Sequence, residues 1–141
     1  MPIQNPEAFP GSRVFFESGE LEVAANVKCI QGDFGVTDGG RYIEPGRTDT
    51  GLTILGRFVR TVDNTGGAAG AKKAQFRLSN GFWANGFVND TVAPLTAAHL
   101  WTTVYLKDAR TASADGTGRT ALGTLVRIDS DYVYVKLAGG V

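Results

Sequence analysis

The chain predicts an all-β fold, an antiparallel sandwich or barrel that carries one short helix. Three observations predict it. Short segments alternate apolar and polar side chains with the period of a half-buried strand. Turn residues punctuate these segments at close intervals, with glycine alone present 19 times in 141 residues. A single stretch, residues 97–101, reads as helix, and it is too brief to build a layer.

The elements follow in chain order. Residues 1–12 (MPIQNPEAFPGS) hold three prolines and no periodicity. They read as an N-terminal arm, with Ile3 and Phe9 as its apolar contacts, ahead of a single β domain over residues 13–141. Residues 13–17 (RVFFE) and 20–29 (ELEVAANVKC) flank Ser18-Gly19, which reads as a two-residue hairpin turn. On the second of these, Leu21, Val23, Ala25, Val27 and Cys29 share one face. Residues 31–50 are turn-rich around a short strand, Arg41–Ile43. Residues 51–62 (GLTILGRFVRTV) make the strongest strand of this half, with Gly56 placed to bulge or bend it. Residues 63–71 form a glycine-rich connection, and residues 72–78 and 82–88 are strands around Ser79-Asn80-Gly81.

Thr96 is placed to cap the short helix over residues 97–101, with Pro94 just before it. Residues 102–108 (TTVYLKD) then alternate, with Val104 and Leu106 inward. Residues 108–119 read as loop. Residues 120–128 alternate with Leu122, Val126 and Ile128 on one side. Asp129-Ser130-Asp131 is a turn, and residues 132–137 (YVYVKL) put Val133, Val135 and Leu137 inward and Tyr132, Tyr134 and Lys136 outward. The last two strands form an antiparallel hairpin.

One internal echo stands out. Residues 53–60 read TILGRFVR and residues 120–127 read TALGTLVR, identical at five of eight places. The flanking residues do not align. The sequence therefore favours two independent core strands that each take a glycine at a bend, over a duplication.

Composition narrows the function classes. Fourteen basic and fourteen acidic residues cancel, which disfavours nucleic-acid binding, because displacing counterions needs a basic face. No apolar run approaches the roughly 18 residues of a membrane span. The first residues lack the basic start and apolar core of a signal peptide, so the expected site of synthesis is a cytoplasm. One cysteine, Cys29, leaves no internal disulfide, and its place on an apolar strand face favours an inert buried thiol.

Candidate reactive groups are sparse. His99 is the only histidine and has no cysteine or carboxylate at ligand spacing. Asp129 and Asp131 resemble the start of a calcium loop, but Tyr132 and Val133 follow where ligands and a glycine belong. Residues 66–72 (GGAAGAK) lack the glycine-lysine-hydroxyl order of a phosphate loop. Glu20 and Glu22 share a strand face and read as solvated. The sequence therefore predicts no enzyme, no cofactor and no metal. The residues suited to binding are aromatic. Trp83, Trp101, Tyr105, Tyr132 and Tyr134 pair an apolar body with a polar tip, as interface residues do, and Ile3 and Phe9 of the arm join them as candidate protein contacts.

A family resemblance rests on residues 82–137. The order of short helix, V-Y-L-K-D strand, T-A-S loop, D-G-T-G-R-T, A-L-G strand, D-S-D turn and closing Y-V-Y-V-K-L resembles the C-terminal part of the capsid decoration or cement proteins of tailed bacteriophages. The resemblance implies a small β jelly roll that docks on the outside of an assembled capsid and bridges major capsid protein subunits. It also implies self-association, as a dimer or trimer at a capsid symmetry axis, and a place on the outer surface of the virion after synthesis in the host cytoplasm. The alternative is a carbohydrate-binding β-sandwich in which Trp83, Trp101 or the tyrosines stack on sugar rings.

Overall fold

The computed structural model describes residues 16–79 and 85–137. The N-terminal arm with Ile3 and Phe9, the Asn80-Gly81 turn, and Trp83 lie outside the described residues. Seven strands come first: β1 (Phe16–Val23), β2 (Lys28–Cys29), β3 (Phe34–Thr37), β4 (Tyr42–Pro45), β5 (Thr53–Phe58), β6 (Val62–Asp63) and β7 (Lys73–Ser79). Five more follow: β8 (Gly86–Asn89), β9 (Thr103–Asp108), β10 (Thr111–Ser113), β11 (Ala121–Ile128) and β12 (Tyr132–Leu137). A 3-10 turn, Ala97–His99, separates β8 from β9. The fold is all-β and barrel-like, as the alternation predicts.

The strands close into two five-stranded rings, β1-β4-β3-β5-β7 and β8-β10-β9-β11-β12, and β2 pairs with β6 outside them. The two rings have the same topology. In each, the first strand runs parallel to the third, β1 with β4 and β8 with β10. Every other pairing in both rings is antiparallel.

The register is the same too. In the first ring Gly56 faces Gly35 and Ile54 faces Val36, so Leu55 bulges. In the second, Gly123 faces Val104 and Ala121 faces Tyr105, so Leu122 bulges. On the other edge, Arg57 and Phe58 face Arg77 and Phe76, as Thr124 and Leu125 face Lys136 and Val135. Carried round the ring, this alignment sets Gln75 opposite Glu20 where Tyr134 is opposite Gly86. It then sets Val23 beside Ile43 where Asn89 is beside Ala112. It returns to its start with Thr37 facing Ile43 where Leu106 faces Ala112. All five ladders agree. The TILGRFVR and TALGTLVR stretches therefore lie on the same strand of a structural repeat, and the reading of two independent strands is corrected. Connections of unequal length between the strands throw the flanking residues out of alignment.

The shared glycine has a steric reason. A Cβ on Gly56 would lie 2.5 Å from the Arg77 carbonyl oxygen, and one on Gly123 would lie 2.1 Å from that of Lys136. Both residues also have positive φ, 150° and 159°. The bulged strand bends so sharply that its neighbour's backbone occupies the side-chain position.

The rings fill alike positions with unlike side chains. In the first, Gly35 leaves room for Ile43 and Phe58, whose atoms would come within 2.8 Å of a Cβ there. In the second, Val104 takes the glycine's place and the facing residues shrink to Ala112 and Leu125. Total volume is conserved across the position, which is what a close-packed interior requires. Val23, Cys29, Ile43, Phe58 and Ala74 form the core of the first ring. The larger cluster fills the second ring and continues into Phe34, Val36 and Leu52 of the first, so one apolar mass joins the two.

Arg57 closes the seam between the rings. Phe34 of β3 and Phe87 of β8 stack with centroids 4.4 Å apart. The Arg57 guanidinium lies over Phe34 at 4.3 Å and donates to the Gly32 and Gly86 carbonyls, one on each ring. Burial lowers its pKa, and the negative charge of Asp33 opposes that shift. Around it, the Phe34 amide donates to the Ala109 carbonyl (2.7 Å), the Thr48 hydroxyl to the Lys107 carbonyl (2.7 Å), and Arg110 pairs with Asp33 (3.0 Å).

Three further expectations are corrected locally. Ser18-Gly19 is not a turn: β1 runs straight through it, and glycine is needed because the Phe76 ring of β7 lies where its Cβ would be. The apolar alternation of residues 21–29 breaks at Asn26, whose φ of 55° turns the chain and leaves Ala25 exposed. The helix stops at His99, because Trp101 takes a left-handed backbone and Thr102 leads into β9.

Alanine at Gly56 or Gly123 should lower stability by about 3 kcal/mol each, from overpacking plus backbone strain, as read by urea unfolding. Arg57→Lys should lose a comparable amount, although it keeps the charge, because an ammonium cannot fork across two carbonyls while stacking on a ring. Equal stability of Arg57→Lys and wild type would show that the fork is dispensable.

Candidate binding surface

Outward positions of the second ring hold Tyr105, Tyr132 and Tyr134, and these differ in exposure. Tyr132 is 53% exposed and faces Val88 across the β12–β8 ladder, and Val88 is itself exposed. Tyr134 is half-buried, with the Arg127 guanidinium 5.5 Å from its ring centroid and Gly86 beneath it. Tyr105 is also half-buried: its ring lies against Gly116, within 2.6 Å of where a Cβ would stand. The connection between β10 and β11 thus covers it. Trp101 lies just before β9, its amide donating to the Leu125 carbonyl of β11 (2.8 Å), and is 66% exposed.

Sequence reasoning missed several exposed apolar residues, Val92 at 82% among them, with Ile30 and Val59 on the first ring. Alternation does not flag them, since Val92 and Ile30 sit in connections and Val59 lies just beyond β5. On the first ring two concavities meet at Val59 and Arg77. One, of about 450 Å³, is lined by β1 and β7; the other, of about 280 Å³, is lined by Gln31, Gly32, Arg57 and Phe58.

The polar groups serve the fold. Asp90 is buried and accepts from Lys107 Nζ (2.7 Å), the Ser113 hydroxyl (2.8 Å) and the Val92 amide (3.0 Å). Burial would raise its pKa, but the Lys107 ammonium and the two hydrogen bonds outweigh it and hold the carboxyl below the usual range. Cys29 is buried; desolvation, then the charge of Glu44, push its thiol up to about 11. That leaves it protonated at neutral pH and a poor nucleophile. His99 Nδ1 accepts from the Thr96 amide at 2.9 Å and closes the 3-10 turn. Asp129 pairs with Arg127 at 3.2 Å beside the exposed Asp129–Asp131 turn, and Glu22 lies 3.7 Å from Arg41. Among the described residues, no three His, Cys, Asp or Glu side chains gather as a metal site would require.

Compared with protein-family models, with curated proteins and with solved structures, the chain finds no match in any of the three.

The Asp90 cluster predicts an acid limb. Its folded pKa is depressed, so its contribution is complete above the unfolded value of about 3.9 and fades as pH falls through the lower, folded value. Asp90→Asn should cost about 3 kcal/mol at neutral pH by leaving Lys107 unpaired, and should flatten stability below pH ~4. Urea midpoints measured against pH check both parts.

Proposed function

We propose that this protein is a structural component of a phage head that binds the outside of the assembled shell and holds neighbouring major capsid protein subunits together. The observation that carries the reading is the pair of like barrels, joined where the core of the second ring takes in Phe34, Val36 and Leu52. Such a body repeats one backbone topology twice, and a pair of joined barrels offers two faces at a fixed separation, as a bridge between neighbouring subunits calls for. The resemblance of residues 82–137 to decoration and cement proteins supports the same reading.

The mechanism is thermodynamic. A protein that binds only the native lattice stabilises it by mass action, and two linked contacts reinforce each other through effective concentration. Each contact can stay modest, on the order of 1,000 Å², because many act on one shell. Tyr132 with Val88 across the β12–β8 ladder are exposed residues suited to such contacts.

Shells purified without this protein provide the test. The full chain should co-sediment with them saturably and raise the temperature at which they rupture. Protein left in the supernatant at saturating concentration, with rupture unchanged, would end the proposal.

A further inference from the structure

The repeat supplies an internal control for Trp101. With Gly56 aligned to Gly123, Trp101 in the second ring occupies the place of Gly32 in the first. The hydrogen bonds around them coincide. The Gly32 amide donates to the Phe58 carbonyl (3.0 Å), as that of Trp101 does to Leu125 (2.8 Å). The Phe58 amide donates to the Asp33 carbonyl (2.9 Å), as that of Leu125 does to Thr102 (3.1 Å). The Asp33 amide donates to Ile30, as that of Thr102 does to His99, both at 3.0 Å. Both residues are locked left-handed, Gly32 at φ 88° and Trp101 at φ 67°.

Glycine meets that backbone without strain, and a bulky aromatic does not. The indole gains little from burial in return, being 66% exposed. Folding therefore does not explain tryptophan here. An outlier held by its surroundings on all sides, with an apolar side chain in solvent, points to a contact made outside the chain.

The same alignment points to the occupant's seat. At Gly32 a side chain would enter open space, and that space adjoins the groove of about 280 Å³ lined by Gln31, Gly32, Arg57, Phe58, Val59 and Arg77. Drug-sized ligands need roughly 300–1,000 Å³, so this groove suits one large side chain. Its exposed apolar wall is Val59, and the side chains of Arg57 and Arg77 line it as well. Tryptophan offers both the apolar face and the best π-surface for a cation. We infer that copies of this chain associate head to tail, with Trp101 of one copy seated in the Gly32–Val59 groove of the next. The contact is heterologous, so it builds closed rings or open chains according to its rotation. It gives a place to the self-association that the resemblance implies, and it can fail without the shell-binding reading failing.

Sedimentation velocity of the full chain without shells tests the pairing. Wild type should gain mass with concentration. Trp101→Gly removes the knob and relieves the backbone, so it should stay monomeric with an equal or higher Tm. Val59→Glu spoils the groove and should also stay monomeric. Mixed in equal amounts, the two variants retain one good knob and one good groove between them, so they should form a dimer and nothing larger. A monomeric wild type, a variant that assembles like wild type, or a mixture no heavier than its parts each overturns the inference. Loss of shell binding by Trp101→Gly while wild type remains a monomer would overturn it in favour of docking on the shell.

Discussion

Arg57 stands between Phe34 and two backbone carbonyls, and the joining of the rings depends on it. The Phe34–Phe87 stack brings β3 of one ring against β8 of the other, and the guanidinium caps that stack while bonding to Gly32 and Gly86. A half-buried cation in this position is favourable because its donors are met and an aromatic face replaces part of its hydration. Take the fork away and two carbonyls, one on each ring, lose their donor at the seam. The barrels are thus joined by geometry as well as by apolar area.

The rings themselves answer one constraint twice. A small barrel must bend its strands hard to close, and both rings do so at a glycine after a bulged leucine. Around that shared corner the side chains diverge freely, Ile43 and Phe58 against Gly35 in one case, Ala112 and Leu125 against Val104 in the other. Backbone geometry tolerates no substitute at the corner, whereas the interior accepts any combination of the right total volume. That is why TILG and TALG persist while the flanking residues do not.

Several elements were legible because their chemistry is local. The β11–β12 hairpin, with Val133, Val135 and Leu137 inward, follows from alternation and the Asp129–Asp131 turn. The bulge beside Gly56 follows from a glycine inside an apolar strand. By contrast, β3 and β10 fall in stretches whose residues read as turn or loop. Both are buried segments whose small or polar residues (Gly35, Thr37, Ser113) carry no alternating signal. Ser18-Gly19 resembles a turn locally, but the Phe76 ring above it demands glycine for space. Of the aromatic candidates, Tyr105 and Tyr134 look alike in sequence to Tyr132, and only the neighbouring Gly116 loop and the Arg127 side chain set them apart in exposure.

By itself the sequence determined the fold class, most strand positions, the inert thiol and the zero net charge, because period, turn chemistry and charge are read from the residues themselves. The tertiary structure alone decided that the strands close into two matching rings, that Arg57 joins them, and that Trp101 occupies a glycine's place. Each of those depends on which strand lies beside which. Register is set by contacts between residues far apart in the chain, and a single sequence records them only as faint echoes such as TILGRFVR and TALGTLVR.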